Sequence, residues 1–299
     1  MKAIENLLIV GVGLIGGSYA LRLKREGLAR RIVGFGRNRK NLERAVELGI
    51  IDDIAGDLAS AATQADLIML AVPVKAMSGV FAELSNSIRP DCVITDGGST
   101  KQEPIAMARA ALGDHFSRFV PGHPIAGSEQ SGVEAVQADL YDDHKVLLTP
   151  LGETDADAIE LVKESWRCCG ARVEQMHPAD HDRVLALTSH LPHVLAYALV
   201  DNIARCDDAR MCFDLAAGGF LDFTRIASSD PIMWRDICLS NQRSVIAAID
   251  QYAGALKDLR EHVEQLDSDA LERTFLNARE SRNRLLDRRR NGNGGGDRK

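Results

Sequence analysis

The hexapeptide Gly11-Val12-Gly13-Leu14-Ile15-Gly16 directly follows the apolar run Leu7 to Val10 and precedes a stretch of helical period from Ser18 to Arg25. A strand that must turn into a helix across three spaced glycines has few folds open to it. Gly11 permits the tight turn, Gly13 lets a pyrophosphate approach the backbone, and Gly16 lets helix and strand pack closely. The helix N-terminus then offers unpaired N–H groups and partial positive charge to phosphates. Residues 11–16 are therefore expected to hold a dinucleotide at the first turn of a parallel α/β sheet.

The chain continues in the same manner. Runs at Leu7 to Val10, Arg31 to Phe35, Leu67 to Val72, Cys92 to Thr95, Phe119 to Pro121, Val146 to Thr149 and Arg172 to Met176 alternate with segments of helical period, the pattern of a parallel sheet wrapped in helices. After His177-Pro178 the strand-like runs vanish. His181 to Ile203, Cys206 to Ala217, Met233 to Leu266 and Ala270 to Arg288 read as helices, with turns at Gly218-Gly219 and Ser228 to Pro231. The expected architecture is an α/β Rossmann-type parallel-sheet domain over residues 1–178, then an all-α domain over 179–288. Residues 289–299 have almost nothing to bury and are expected as a disordered tail. Val245, Ile246, Ile249, Tyr252, Leu256 and Leu259 keep apolar spacing on a helix longer than a small domain can cover, so a homodimer is expected through this helical domain.

After the second strand candidate a carboxylate would bond the ribose hydroxyls of NAD and repel a 2′-phosphate. The chain has Gly36-Arg37-Asn38-Arg39-Lys40 instead. With Arg37, Asn38 and Arg39 as donors, NADP is expected ahead of NAD, which stays possible. The same cations would also suit an ordinary solvated turn. Val72-Pro73 and Asp96 to Lys101 close two later strand candidates, at the edge where open parallel sheets bind ligands, and are read as cofactor-side contacts. A strand-ending proline and a glycine turn would look alike.

A net charge of -7 argues against nucleic acid as the main partner. No apolar run approaches the ~18 to 20 residues of a spanning helix, and Leu7 to Gly11 is too short for a signal peptide. The chain is read as cytoplasmic, with no membrane partner. Cys92, Cys168, Cys169, Cys206, Cys212 and Cys238 show no C-x-x-C pair and read as reduced thiols.

Two histidine-bearing segments remain. His123 opens His123-Pro124-Ile125-Ala126-Gly127-Ser128-Glu129 just past a short strand, in reach of a nicotinamide, although alone it also fits a histidine satisfied by loop backbone. From His181 to His193, three of the eight histidines and Asp182 crowd into thirteen otherwise largely apolar residues. A zinc hydrolase would use His190-x-x-His193 with His181 or Asp182. Pro192 disturbs the face such ligands need, and the glycine turn would go unexplained, so no metal is expected.

The glycine turn, Asp96 to Lys101, His123 to Glu129, His181-Asp182, Ser189 to His193 and Gly218 to Ala227, followed by Met233-Trp234-Arg235-Asp236, stand in an order that resembles the prephenate and arogenate (cyclohexadienyl) dehydrogenases of tyrosine biosynthesis, from about Leu7 to Arg288. The resemblance implies that His123 is the catalytic histidine, taking a hydrogen bond from the substrate's ring hydroxyl, and that Ser99 sets it beside the nicotinamide. It implies substrate-side roles for His193, Arg225, Ser128, Glu129 and Ser229, with Arg225 as a bidentate carboxylate clamp. His181, Asp182 and His190 would shape and support the pocket. The implied reaction is oxidative decarboxylation of arogenate or prephenate with hydride transfer to NADP or NAD. The alternative is a non-catalytic NADP-binding regulatory protein of the same fold.

Overall fold

The computed structural model describes residues 3–127 and 130–292. Strands β1 (Ile4–Val10), β2 (Ala29–Phe35), β3 (Asp53–Ile54), β4 (Leu67–Leu70), β5 (Val93–Asp96) and β6 (Phe119–Val120) form one parallel sheet in the order β3-β2-β1-β4-β5-β6. Alternation along β1 shows how both faces are covered. Leu7 and Ile9 enter one core with Tyr19, Leu23 and Trp166, while Leu8 and Val10 enter the other with Phe81, Leu84 and Phe119. Strands buried on both faces read as unbroken apolar runs, which is why they stood out in the sequence. The strand order reverses between β1 and β4, and the crevice at their carboxyl ends is where such sheets take ligands.

The expectation that all the strands share one sheet needs correction. Strands β7 (Gly122–Pro124), β8 (Lys145–Leu148) and β9 (Arg172–Gln175) form a separate sheet, β7 antiparallel and β9 parallel to β8. Pro121 has no N–H to extend the ladder, so β6 ends there and the chain leaves in a new direction. His123 thus stands in a strand, not a loop.

After β9 the described residues form helices. Pro178–Leu185 runs into a wide π-type turn, Ala186–His190, and on into Leu191–Ala204. Pro192 lacks the N–H for a regular bond and crowds the carbonyl one turn back, which the wider turn relieves. Gly218-Gly219, expected as a turn, opens the helix Gly218–Thr224. The helix expected from Met233 to Leu266 is two, Pro231–Ser240 and Gln242–Glu264, parted at Asn241. The last helix, Ser268–Gly292, continues through 289–292, where a frayed tail was expected. Arginines are good helix formers and suit the negative end of the helix dipole.

The chain divides into two compact units, Met1–Val245 and Ile246–Lys299, so most of the helices after Pro178 belong with the sheets. In the second unit Ile246, Ile249, Tyr252 and Leu256 are exposed along one helix, while Val245 in the first is buried. The run Pro178–Ala204 has the length and composition to cross a membrane. It had not stood out as apolar because His181, Asp182, Arg183, His190 and His193 interrupt it.

Candidate active site

The cofactor end follows from three glycines. Gly11 has φ +99, and a Cβ there would lie 2.4 Å from the Ala71 carbonyl oxygen. A Cβ at Gly16 would lie 2.9 Å from Ile9 Cγ2, so helix Leu14–Arg25 rides directly on β1. At Gly13 a Cβ would meet nothing within 4 Å, leaving the open cradle that a pyrophosphate fills. Gly13 caps the helix with no side-chain bond, so its first N–H groups face that space. These residues fit a dinucleotide. At the end of β2, Asn38 accepts a hydrogen bond from Asn41 N at 3.2 Å, Arg39 pairs with Glu43 at 3.0 Å, and Arg37 is exposed. Val72 and Pro73 follow β4, Pro73 capping the next helix.

The loop after β5 brings the two ends of the site together. A Cβ on Gly97 would come 3.0 Å from Ile15 Cγ2 and 3.7 Å from Pro124 Cδ, so the glycine turn and the His123 strand press on the same point. The Asp96 carboxylate accepts from Gly98 N at 2.8 Å and Gly122 N at 3.1 Å. Lys101, with Asp96 wholly buried, extends its ammonium to the Asp96 carboxylate and to the Gly122 carbonyl, the latter at 2.6 Å. One side chain thereby ties the Ser99 loop to the residue before His123. Sequence reasoning gave Lys101 no role of its own; a cation five residues from a carboxylate across two glycines was the available sign.

From His123 a line of hydrogen bonds runs inward. His123 Nδ1 lies 2.8 Å from His181 Nε2, and His181 Nδ1 lies 2.8 Å from Asp182 Oδ1. Asp182 accepts from the backbone N–H of Lys101 at 2.8 Å and of Gln102 at 2.9 Å. Burial alone would raise its carboxyl pKa, but the bonds from His181, Gln102 and Lys101 outweigh it and hold the group below its ordinary value of 3.8. The ionised carboxylate fixes both tautomers. His181 donates from Nδ1 to Asp182, so its Nε2 accepts from His123 Nδ1–H, and His123 Nε2 is left with a lone pair. Burial first, then the charges of His181, Lys101 and His190, hold His123 well below 6.5, so the imidazole rests neutral.

His190, almost fully buried, is pushed down to about 4 by burial. Its Nδ1 lies 3.2 Å from Asn241 Nδ2, which also donates to the Asp182 carbonyl at 2.7 Å. The Thr100 and Ser240 hydroxyls meet at 2.7 Å, so the end of helix Pro231–Ser240 is fastened to both the Ser99 loop and the histidine line. No sequence signal marked Asn241. His193 stacks on Trp234, ring centres 3.5 Å apart, and donates from Nδ1 to the Ser189 carbonyl at 2.9 Å. His190 and His193 thus turn to different partners.

The turn Arg225–Ser228 packs against helix Leu191–Ala204, and Tyr197 Oη donates to the Ser229 carbonyl at 2.6 Å. Arg225 is exposed there. Ser128 and Glu129 lie outside the described residues.

A Rossmann-type sheet with an open glycine cradle, next to a histidine whose free nitrogen is an acceptor, defines a nicotinamide-dinucleotide-dependent oxidoreductase. Residues 19–175 match the prephenate dehydrogenase nucleotide-binding domain and residues 177–277 the prephenate dehydrogenase dimerization domain. The chain belongs to the prephenate dehydrogenase family. It is 38% identical over 283 residues to prephenate dehydrogenase of Bacillus subtilis, covering 94% of this chain and 76% of that protein. It is 36% identical over 284 residues to cyclohexadienyl dehydrogenase of Zymomonas mobilis, covering 94% and 96%. The crystal structure of Aquifex aeolicus prephenate dehydrogenase with hydroxyphenyl propionate and NAD+ superposes with TM-score 0.89 at 40% identity, over 95% of this chain and 99% of that one.

Proposed function

We propose that the protein catalyses oxidative decarboxylation of prephenate, arogenate or both in tyrosine biosynthesis, with NADP preferred to NAD. The observation that carries the chemistry is the line Asp182–His181–His123, which leaves His123 Nε2 as a water-poor acceptor for the hydroxyl proton. The bound nicotinamide supplies the hydride acceptor. His123 takes up the proton at Nε2, and Ser99, in the loop held by Lys101, sets the imidazole beside the cofactor. A regulatory protein that only binds NADP would have no use for this polarised line. Residues 1–178 carry the cofactor and residues 179–288 the substrate contacts and the homodimer interface, to which the exposed face of Ile246, Ile249, Tyr252 and Leu256 belongs.

His193 and Arg225 are assigned to the substrate, with Ser128, Glu129 and Ser229 beside them, and Arg225 grips a carboxylate. Arg225→Ala should therefore raise the substrate KM strongly and leave the Kd of NADP unchanged. Equal loss of both affinities, or unfolding, would make Arg225 structural.

The deciding experiment compares kcat/KM for arogenate and prephenate, each with NADP and with NAD. Absence of turnover with all four pairs sinks the proposal. NADP should win, because Gly36 puts no carboxylate against the 2′-phosphate while Arg37, Asn38 and Arg39 add donors. The exposed pair of Arg39 with Glu43 is worth little and does not hold Arg39 back. A Cβ on Gly36 would meet only Leu42 Cδ2 at 3.8 Å, so Gly36→Asp is sterically tolerated. Combined with Arg37→Ala it should shift the NADP/NAD ratio of kcat/KM by roughly tenfold or more toward NAD. An unmoved ratio would mean that this turn does not read the 2′ position.

A further inference from the structure

Every polar contact recorded for the Asp182 carboxylate is with a donor: Lys101 N at 2.8 Å, Gln102 N at 2.9 Å, Gln102 Nε2 at 3.2 Å and His181 Nδ1 at 2.8 Å. The side chains of His181 and Asp182 are 0% exposed. A line of proton carriers passes a proton outward only if an acceptor waits at its far end. Here the far end is a carboxylate ringed by N–H groups. The surrounding titratable groups offer no way out. The Lys101 ammonium is bound by Asp96 and the Gly122 carbonyl, and His190 Nδ1 faces the Asn241 amide. A proton that enters at His123 can travel as far as His181 and must return by the same route.

The oxidative decarboxylation proposed above, on which this inference rests, needs no exit. The carbinol O–H bond breaks and its proton goes to His123 Nε2, while the carbinol C–H bond breaks and its hydride, with the electron pair, goes to the nicotinamide. The bond from the ring to its carboxylate then breaks, carbon dioxide leaves, and the electron pair enters the ring and comes to rest on the same oxygen. That oxygen is now a phenolate and takes a proton back. The sum neither releases nor consumes a proton.

We propose that His181 and Asp182 form a closed proton store. As His123 Nε2 takes the hydroxyl proton, the Nδ1 proton of His123 passes to His181 Nε2, and an imidazolium forms against the Asp182 carboxylate. Both transfers reverse once carbon dioxide has left. Asp96 and Lys101 neutralise each other, so Asp182 is the buried negative charge left over to receive the positive one. The asymmetry of the two rings agrees. Burial lowers both, but at His181 the hydrogen bond and charge of Asp182 work against it, whereas His123 has no such counterweight.

The test is a single turnover in weak buffer, with nicotinamide absorbance and a pH-indicator dye followed together. Reduced nicotinamide should form without accompanying acidification, acid appearing only later as carbon dioxide hydrates. Equimolar acidification in step with hydride transfer overturns the store while leaving the reaction assignment standing. Absence of reduced nicotinamide with prephenate and arogenate sinks that assignment, and the store with it. The variant His181→Gln keeps an acceptor toward His123 and a donor toward Asp182 but cannot carry a proton. Its kcat should fall by ~10²-fold or more with both KM values nearly unchanged. Wild-type kcat in that variant means that the residue only positions His123, and the store is wrong.

Discussion

His123→Asn should lower kcat by ~10² to 10⁴, the range for loss of a positioned general base, while the Kd of the cofactor stays near its wild-type value. The nitrogen removed is the lone pair at Nε2, which the hydrogen bonds to His181 and Asp182 leave pointed away from the protein's own donors. The cofactor cradle is built by β1, β4 and their glycine turn, none of which depends on this side chain. The wild-type enzyme also carries a pH signature. Because burial, His181, Lys101 and His190 depress His123 in the folded protein, the inactive protonated form is reached only below 6.5. The acid limb of kcat/KM should have its midpoint below that value, with kcat/KM level from there to neutrality. A limb at or above 6.5 that disappears in His123→Asn would mean the base is exposed to solvent. Near-normal kcat in the variant would remove His123 from the chemistry.

Asp182→Asn should cost kcat up to ~10⁴ with little change in fold, the magnitude that reversal of a histidine tautomer carries in the hydrolase triads. An amide offers one oxygen and one NH2. If the oxygen stays with the N–H groups of Lys101 and Gln102, the NH2 faces His181 Nδ1, which becomes an acceptor. His181 Nε2 then carries the hydrogen, His123 Nδ1 accepts it, and His123 Nε2 presents N–H where the substrate needs a lone pair. Each distance is kept and each polarity is reversed. Steady-state kcat, with thermal unfolding to verify the fold, checks this; an active variant would show that the carboxylate does not set the direction of the line.

Much of the fold was legible because parallel strands buried on both faces are bare apolar runs, as Leu67–Leu70 and Val93–Asp96 are. The glycine turn was legible because each of its three positions excludes a side chain for its own physical reason. What escaped was set by tertiary contact. Gly122–Pro124 is too short for a period, and it becomes a strand by pairing with Lys145–Leu148. Gly218-Gly219 has the chemistry of a turn and is overridden by packing of its helix on Leu191–Ala204. At the site, His123 and the His181-Asp182 pair stood out by residue type, but the direction of the hydrogen bonds between them did not, since it depends on residues 58 positions apart. Lys101 and Asn241 looked like ordinary surface residues, and their burial is a fact of three dimensions.

The wide turn at Ala186–His190 also sets a phase. In a regular helix each residue advances ~100° about the axis, and a π turn in effect spends one residue more on the same rise. It separates the histidine line upstream, at His181 and Asp182, from the ring of His193 downstream, stacked on Trp234. Shortening the chain by one residue inside the turn would leave the upstream side chains in place and sweep His193 about 100° around the axis, off the indole. The substrate-facing and proton-handling halves of this pocket are therefore geared separately. A family built on such a turn can retune what it recognises by gaining or losing a single residue, without altering a member of the acid–base line.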